Sequence, residues 1–500
     1  MQCSVAVFPV REDVPALQFC HELEHSLGLA VNGRVCRLNS SLVRARLGKS
    51  ALTGENQDYR LNSWLGQQED RHSCVILQCD PSVTRWTRKC LRHADIVLVV
   101  ALAAAGPVLS DTERELESLA RRVRKELVLL WPADTDRPVG TQAWLRRRAW
   151  LSGHLQVRMP ERMTRHSSRA RVWRQYAALA DSPADLHSDF SRLGRHLAGR
   201  SVGLVLGGGG ARGAAHLGMI HSLVEAGIPI DRLGGTSIGA FMGGLWALHR
   251  DFARVWSASE DWFRFMTEPL NLLDLTYPIV SLFSGGYFNQ SIKTAFPEQI
   301  CIEDLWLPFY CVTTDISTSS ERVHRTGPIW RYVRASMSYA WILPPICDPT
   351  DGHLLMDGCY VNNVPGDVML RSTCSHIIVV DVTAPDDTDL TNYGDSLSGW
   401  WLLSKRWNPF TSAVKIPTQT EIQERLSYCS HYKSVSINFF HRILHCIFMY
   451  FYAGTWRLSK AIRTTNTSSP QLDNTPARNS FCLRKFTMQA TTTVTLFSAA

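Results

Sequence analysis

Three short stretches hold residue types that could do chemistry together. Gly235-Thr236-Ser237-Ile238-Gly239 is a G-x-S-x-G sequence. That spacing sets a serine on a sharp strand-to-helix turn, with small residues at both ends so that the helix packs close and the hydroxyl projects. A serine hydroxyl needs a base. Downstream, 351-DGHLLMDGCYVNNVP-365 offers Asp357, followed by Gly358 and Cys359, although an Asp-Gly turn is also an ordinary loop feature. Upstream, 202-VGLVLGGGGARGAAHLG-218 runs from an apolar stretch through four glycines into a helical pattern. A glycine loop there bares backbone N–H groups beside the positive end of a helix dipole. It is built for negative charge, either a phosphate or the oxyanion of an acyl-transfer intermediate.

The elements that must position these residues are legible nearby. SVGLVL (201–206) reads as a strand and AAHLGMIHSLVEAG (214–227) as a helix, with Leu217, Ile220 and Val224 at helical spacing and Gly227 as terminator. AFMGGLWAL (240–248) supplies the helix after the serine, Gly243 and Gly244 permitting close packing. Two such strand–loop–helix units in succession predict adjacent parallel strands ending on one sheet edge, so that glycine amides face the serine. The same loop also satisfies G-x-G-x-x-G through Gly208, Gly210 and Gly213, with Asp231 as a possible ribose acid, a dinucleotide signature that is weak alone. A P-loop is excluded because no GK[ST] follows. His376, in CSHIIVVDV (374–382), would complete a Ser…Asp…His order, but its place at the entry of an apolar strand favours a structural role. His216 and His221 read as packing or helix-surface residues, and His353 as a weaker rival base.

The chain has 500 residues, 45% of them hydrophobic, which suits two or three globular domains. The +8 net charge points first to nucleic acid or an anionic surface. Residues 431–500 hold eight Lys or Arg against the single acid Asp473, so the tail carries +7 of that total and a nucleic-acid-binding body is disfavoured. Fourteen cysteines without a CxxC pair suggest reduced thiols. Neither a signal peptide nor an apolar run long enough to span a bilayer is expected, 443-ILHCIFMYFYAGT-455 being too short.

CSVAVFP (3–9), CVILQC (74–79), ADIVLVVALA (94–103) and ELVLLW (126–131) read as strands. DTERELESLARRVRKE (111–126) reads as a helix capped by Asp111, with Leu116, Leu119, Ala120 and Val123 at helical spacing. This alternation predicts a parallel sheet in a structural or regulatory domain. The resulting organisation is a Rossmann-like α/β domain (1–160), a basic helical connector (161–200), a hydrolase domain (201–430), and a divergent basic tail without packed structure (431–500). The arginine runs of 145–200 read as solvated faces with a possible role at anionic lipid.

Taken together, Gly208-Gly209-Gly210-Ala211-Arg212-Gly213, Gly235–Gly239 and Asp357-Gly358-Cys359 resemble the motifs of the patatin-like phospholipases. DYRLNSWLGQQEDRH (58–72), HSDFSRLGRHLAG (187–199), WRYVRASMS (330–338), DPTDGHLLMDG (348–358) and LTNYGDSLSGWWLLSKRWNP (390–409) resemble, more narrowly, the neuropathy target esterase and lysophospholipase subgroup. The resemblance covers about residues 1–430. It implies a three-layer α/β/α hydrolase domain preceded by the smaller Rossmann-like domain. It also implies a Ser–Asp dyad, in which Asp357 accepts the Ser237 proton directly and later activates water. The amides of Gly208, Gly209 and Gly210 would hold the oxyanion on a loop braced by Arg212. The implied substrate is the fatty-acyl ester of a lysophospholipid, lysophosphatidylcholine foremost, with no metal or organic cofactor.

Cys359 stands where the family has Gly or Ala, and a requirement there for φ > 0, or for close approach to the serine, would make it a strain or a steric risk. The subgroup's membrane anchor and cyclic-nucleotide-binding-like domains are not visible, so a shortened form is expected. The implied partners are lysophospholipid and the membrane surface, peripherally at the cytoplasmic face of the endoplasmic reticulum or another membrane. FFHRILHCIFMYFYAGTW (439–456) is a candidate interfacial anchor within an otherwise non-functional tail. The other readings are a nucleotide-binding module and a weak or inactive hydrolase fold that binds lipid as a regulator.

Overall fold

A computed structural model describes residues 3–426, apart from 32, 53–57, 121, 167, 180–181, 269–273, 373, 383–389, 408–413, 418–421 and 423–424, and also residues 493–498. The first unit is a six-stranded sheet of β1 (Cys3–Pro9), β2 (Val35–Leu38), β3 (Cys74–Gln78), β4 (Ile96–Leu102), β5 (Arg124–Trp131) and β6 (Gly153–Arg158). The strands lie in the order β2-β3-β1-β4-β5-β6 and every pairing is parallel. Strands of such a sheet are covered on both faces and so read as unbroken apolar runs. In β1, Val5 and Val7 join a cluster with Phe19, Leu23 and Phe190, while Ala6 and Phe8 pack on the other side with Trp86, Leu116 and Trp144.

The second unit contains β7 (Ser201–Leu206), β8 (Arg232–Thr236), β9 (Phe309–Asp315), β10 (Ser320–His324), β11 (Ile346–Cys347), β12 (Leu354–Asp357), β13 (Cys374–Asp381) and β14 (Thr493–Ser498). The order is β11-β12-β9-β8-β7-β13-β14, with β10 antiparallel to β9. β13, β7, β8 and β9 are mutually parallel, and β12 returns antiparallel to β9. The expected adjacency of β7 and β8 is therefore present. Helices Ala214–Glu225, Ile238–His249, Phe252–Met266 and Ile329–Ser336 contribute to the large cluster on one face. The opposite layer is thinner, with Val368 and Met369 of helix Gly366–Leu370 packed on Val205, Val312 and Val379.

Several expectations need correction. The helix after β4 spans Asp111–Leu119, and its cap is Ser110, whose hydroxyl and Glu113 form a reciprocal capping box. It stops short of 126 because Arg124–Glu126 pair with β4. On helix Ala214–Glu225, Leu223 is buried and Val224 exposed. The expectation of an unpacked tail is corrected at one place: β14 pairs antiparallel to β13. The rest of the tail, including 439–456 and the apolar run 443–455, lies outside the described residues. Among the described residues no helix is long and apolar enough to cross a membrane.

The arginine-rich stretch is solvated only in part: Arg146, Arg147, Arg165, Arg171 and Arg174 are exposed as expected, whereas Arg148, Arg192 and Arg195 are buried. Every residue of helix Asp189–Leu197 is buried. Phe190 meets Phe19 at 5.3 Å between ring centres, and a Cβ on Gly194 would lie 3.3 Å from the Ser26 backbone. Arg195 donates to both oxygens of Asp231, with Nε at 2.9 Å and Nη2 at 2.6 Å. Arg148 donates to Glu113 through Nε at 2.7 Å and Nη2 at 2.9 Å. Charges buried in fork geometry tie segments together, and removing one partner strands the other away from water. Arg148→Met is therefore expected to destabilise the chain by about 3–5 kcal/mol, read as a lowered urea midpoint.

Candidate active site

Ser237 leaves β8 and precedes helix Ile238–His249 with φ 55° and ψ −127°. Left-handed φ is uncommon for a residue with a side chain and persists only where its surroundings hold it. They hold it here by close approach: a Cβ on Gly235 would lie 2.6 Å from the Gly239 carbonyl carbon, and one on Gly239 would overlap the Leu206 carbonyl oxygen. Gly213 is likewise pressed on Ile238. Thr236, fully buried, donates its hydroxyl to the Asn362 carbonyl at 2.8 Å. The Ser237 amide donates to Ser336 Oγ at 2.9 Å, and that hydroxyl donates to the Val312 carbonyl at 2.6 Å.

The structure brings Ser237 and Asp357 together: the hydroxyl donates to Asp357 Oδ2 at 2.8 Å. β12 carries Asp357 antiparallel to β9, and Gly358 then turns the chain so tightly that a Cβ would meet the Val312 carbonyl. Asp357 Oδ1 accepts from the Cys359 amide at 2.9 Å, and its carbonyl accepts from Thr314 Oγ1 at 2.6 Å. Burial raises the Asp357 carboxyl to about 6, opposed by the Cys359 amide, the Ser237 hydroxyl and the Cys359 thiol. Cys359 itself lies in the short helical turn Gly358–Tyr360 and is not among the residues with positive φ. The anticipated backbone strain at Cys359 is thus absent.

The glycine loop abuts this pair. A Cβ on Gly208 would lie 3.1 Å from Ser237 Cβ. Its amide donates to the Asn363 carbonyl at 3.2 Å, whereas no acceptor among the described residues takes the amides of Gly209 or Gly210. Gly210 adopts φ +56°, and the Arg212 amide closes the turn on the Gly209 carbonyl at 3.2 Å. His216 Nε2 meets the Gly207 carbonyl at 2.8 Å; full burial lowers its pKa to about 4, so the neutral ring donates there and fixes the loop's start.

The other candidates fall elsewhere. Asp231 is held by Arg195 and the Val202 amide at the opposite end of β7, away from the glycine loop, which removes the ribose-acid role. His376 sits at the amino end of β13 beside Val202, exposed and bonded to Ser375 Oγ at 2.7 Å. His353 Nδ1 faces Asp315 Oδ2 at 2.7 Å, and His221 lies on its helix surface beside Glu225. Among the described residues no group of three or more His, Cys, Asp or Glu is placed to hold a metal ion, and every cysteine is free.

Sequence reasoning missed Ser336, Ser338 and Asn363. Ser338 accepts the Asp357 amide at its carbonyl at 3.1 Å, and Asn363 holds the Gly208 backbone. Ser-x-Ser ending a helix is too common a pattern to have marked them. Beyond Ser338, the segment around residues 275–283 docks by its backbone. The Leu282 amide donates to the Trp341 carbonyl at 2.8 Å, and that of Phe283 to Ile342 at 3.1 Å. Tyr277, Ile279 and Val280 of this segment are 82%, 78% and 62% exposed. Residues 269–273 of the same stretch lie outside the described residues.

The family model for Patatin-like phospholipase matches residues 204–370, and that for the Neuropathy Target Esterase family P-loop like domain matches residues 3–199. Neuropathy target esterase sws of Drosophila melanogaster is 51% identical over 429 residues, 85% of this chain and 30% of that protein. Its Drosophila mojavensis counterpart is 47% identical over 468 residues, 85% of this chain and 31% of that protein. The chain thus spans about a third of the length of the curated relatives it matches. Among solved structures, VipD from Legionella pneumophila covers 32% of this chain at 17% identity with a TM-score of 0.22, too slight a likeness to bear on the fold. In the first unit the turn from β1 to helix Ala16–Ala30, VREDVP, has neither glycine nor a Lys-Ser/Thr pair.

Gly239→Ala tests the close approach directly. Its methyl group collides with backbone rather than with a flexible side chain. The expected outcome is a loss of about 3 kcal/mol or more in unfolding free energy together with lost Ser237 labelling by a fluorophosphonate probe.

Proposed function

We propose that this chain, which carries a patatin-like phospholipase domain beside a Neuropathy Target Esterase family P-loop like domain, is a serine esterase acting on lipid acyl esters. Its substrate class is the lysophospholipids, lysophosphatidylcholine foremost. The observation that carries the reading is the 2.8 Å bond from a strained, elbow-held serine hydroxyl to a buried carboxylate with no histidine between them.

The chemistry follows from that bond. Asp357 accepts the Ser237 proton as Oγ attacks the ester carbonyl carbon. The oxyanion that forms receives the amides of Gly209 and Gly210, and Gly208 joins if it releases the Asn363 carbonyl. Protonated Asp357 returns its proton to the departing glycerol oxygen as that bond breaks, leaving a fatty-acyl ester on Ser237. Water, deprotonated by Asp357, then releases the fatty acid and restores the hydroxyl. A carboxyl pushed up to about 6 is ionised at neutral pH yet more basic than an ordinary aspartate, which suits both steps. No metal or organic cofactor takes part.

A membrane surface as the source of substrate is supported by the uncharged segment 275–283, with Tyr277, Ile279 and Val280 exposed and its backbone bonded beside Trp341. Peripheral placement at the cytoplasmic face of the endoplasmic reticulum, or of another membrane, belongs to the same proposal. The reading as an inactive lipid-binding fold drew on Cys359, and the absence of positive φ at that residue removes backbone strain from its support.

Ser237→Ala is expected to abolish lysophosphatidylcholine hydrolysis and fluorophosphonate labelling in a folded protein, while His376→Ala retains most of both. A folded His376→Ala protein that loses activity would refute the dyad. The rate is expected to fall as pH drops through about 6, where Asp357 takes up a proton. Cys359→Gly removes a donor to the ionised carboxylate and is expected to move this limb to higher pH.

Asp357→Asn is expected to lose turnover but gain stability. The folded pKa of about 6 lies above the ordinary aspartate value, so the carboxyl favours the folded state below about pH 4, and that contribution is lost as pH rises through 6. At pH 8 the neutral amide should raise unfolding free energy by on the order of 2–3 kcal/mol. Equal melting temperatures at pH 8 would contradict this.

A further inference from the structure

On the side opposite Ser237, the amino ends of strands from both sheets meet around a cleft of about 470 Å³. Arg124 begins β5, Gly153 begins β6, Arg232 begins β8 and Phe309 begins β9, and all four line it. Arg325 and Arg371 also face the cleft, and Glu126 is the one carboxylate in its described lining.

Glu126 is already engaged, by an ion pair with Arg124 and by His196 Nε2 at 2.8 Å. Arg232 Nη2 donates to His196 Nδ1 at 3.1 Å, a ring nitrogen rather than a carboxylate, because a guanidinium can only donate. Among the described residues no carboxylate lies within ion-pair distance of Arg232 or Arg325. Arg325 lies over the Tyr310 ring at 5.6 Å, and Arg371, at the rim, has its own partner in Asp367 at 3.3 Å. Burial pulls the Arg232 pKa down, Cys374 and Glu126 oppose this, and Arg124 and Arg325 add repulsion. A cation removed from water without an anion is costly, and an arriving anion with several acceptor oxygens offsets that cost. The walls beside these arginines include Leu305, Leu307 and Phe309.

We propose that this interdomain cleft is a binding site for a small phosphate ester, its phosphate held by Arg232 and Arg325 and its less polar body against the Leu305–Phe309 wall. Open α/β sheets commonly bind ligands at the carboxyl ends of their strands through backbone amides. This site lies at the amino ends and relies on side chains, so it is separate from both the glycine loop and the β1 turn. It does not depend on the activity proposed for Ser237. The phosphate belongs either to a soluble compound or to a phospholipid head group.

The test is calorimetric titration of the full chain at constant ionic strength with inorganic pyrophosphate and, separately, with soluble dioctanoyl phosphatidate below its micellar concentration. Saturable binding of at least one probe is expected, weakened about tenfold or more by Arg232→Gln and by Arg325→Gln, as loss of one charge-assisted contact implies. Arg254→Gln, outside the cleft lining and paired with Asp136, should leave it unchanged. If Arg232→Gln fails to fold, the exposed Arg325 decides alone. Pyrophosphate binding lost in Arg325→Gln supports a soluble phosphate compound, and phosphatidate binding lost there without pyrophosphate binding supports a lipid head group. No saturation by either probe up to roughly 5 mM, or affinity unchanged in Arg325→Gln, overturns the proposal.

Discussion

The turn at Ser237 is the constraint around which the second unit is organised. A side chain at left-handed φ is tolerated only if the surroundings fix it from several directions. Helix Ile238–His249 must come within backbone contact of β7, so Gly239 has no room for a methyl group. Ser336 must reach the Ser237 amide, which requires helix Ile329–Ser336 to end beside β9, where its hydroxyl also finds the Val312 carbonyl. The same carbonyl leaves no space at Gly358, and so directs the chain that presents Asp357. Strain, close approach and the Ser237–Asp357 bond are parts of one packing solution.

The buried carboxylate shows how that solution bears on chemistry. Asp357 accepts from the Ser237 hydroxyl, the Cys359 amide and the Cys359 thiol, and among the described residues it has no ion-pair partner. Burial therefore outweighs the hydrogen bonds and its pKa rises. A nearby arginine would have lowered the pKa and weakened the base. The protein does use arginine in that way elsewhere: Glu113 with Arg148 and Asp231 with Arg195 are buried pairs in fork geometry. These two structural carboxylates are neutralised by cations, and the carboxylate facing the serine is not.

The two sheets divide chemistry between their edges. At the carboxyl ends of β7 and β8 the chain turns through glycine-rich backbone, where the amides of Gly209 and Gly210 have no acceptor among the described residues. At the amino ends, side chains dominate: Arg124, Arg232 and Arg325 gather where the units meet. Interdomain hydrogen bonds, such as Thr141 to Asp304 at 2.9 Å and Gln156 to the Glu303 carbonyl at 3.1 Å, hold these edges in place.

Local order is what the sequence determined by itself. Unbroken apolar runs marked β1, β3, β4, β5 and β7 because strands buried on both faces need no polar alternation. G-x-S-x-G marked the elbow because its steric requirement lies within five residues, and the glycine loop was legible for the same reason. Short β2 and β6 were not legible, since four to six residues carry too little periodicity. Tertiary structure alone decided everything that depends on residues far apart in the chain. It paired Ser237 with Asp357 across 120 positions and placed His376 at the wrong end of its strand to take part. It buried Arg148, Arg192 and Arg195, which read as solvated from their spacing, because their carboxylate partners come from other segments or an adjacent turn. It also gave Cys359 an unstrained helical turn. A motif states which side chains a turn can hold, but burial, partner and pKa are properties of the space that distant segments enclose.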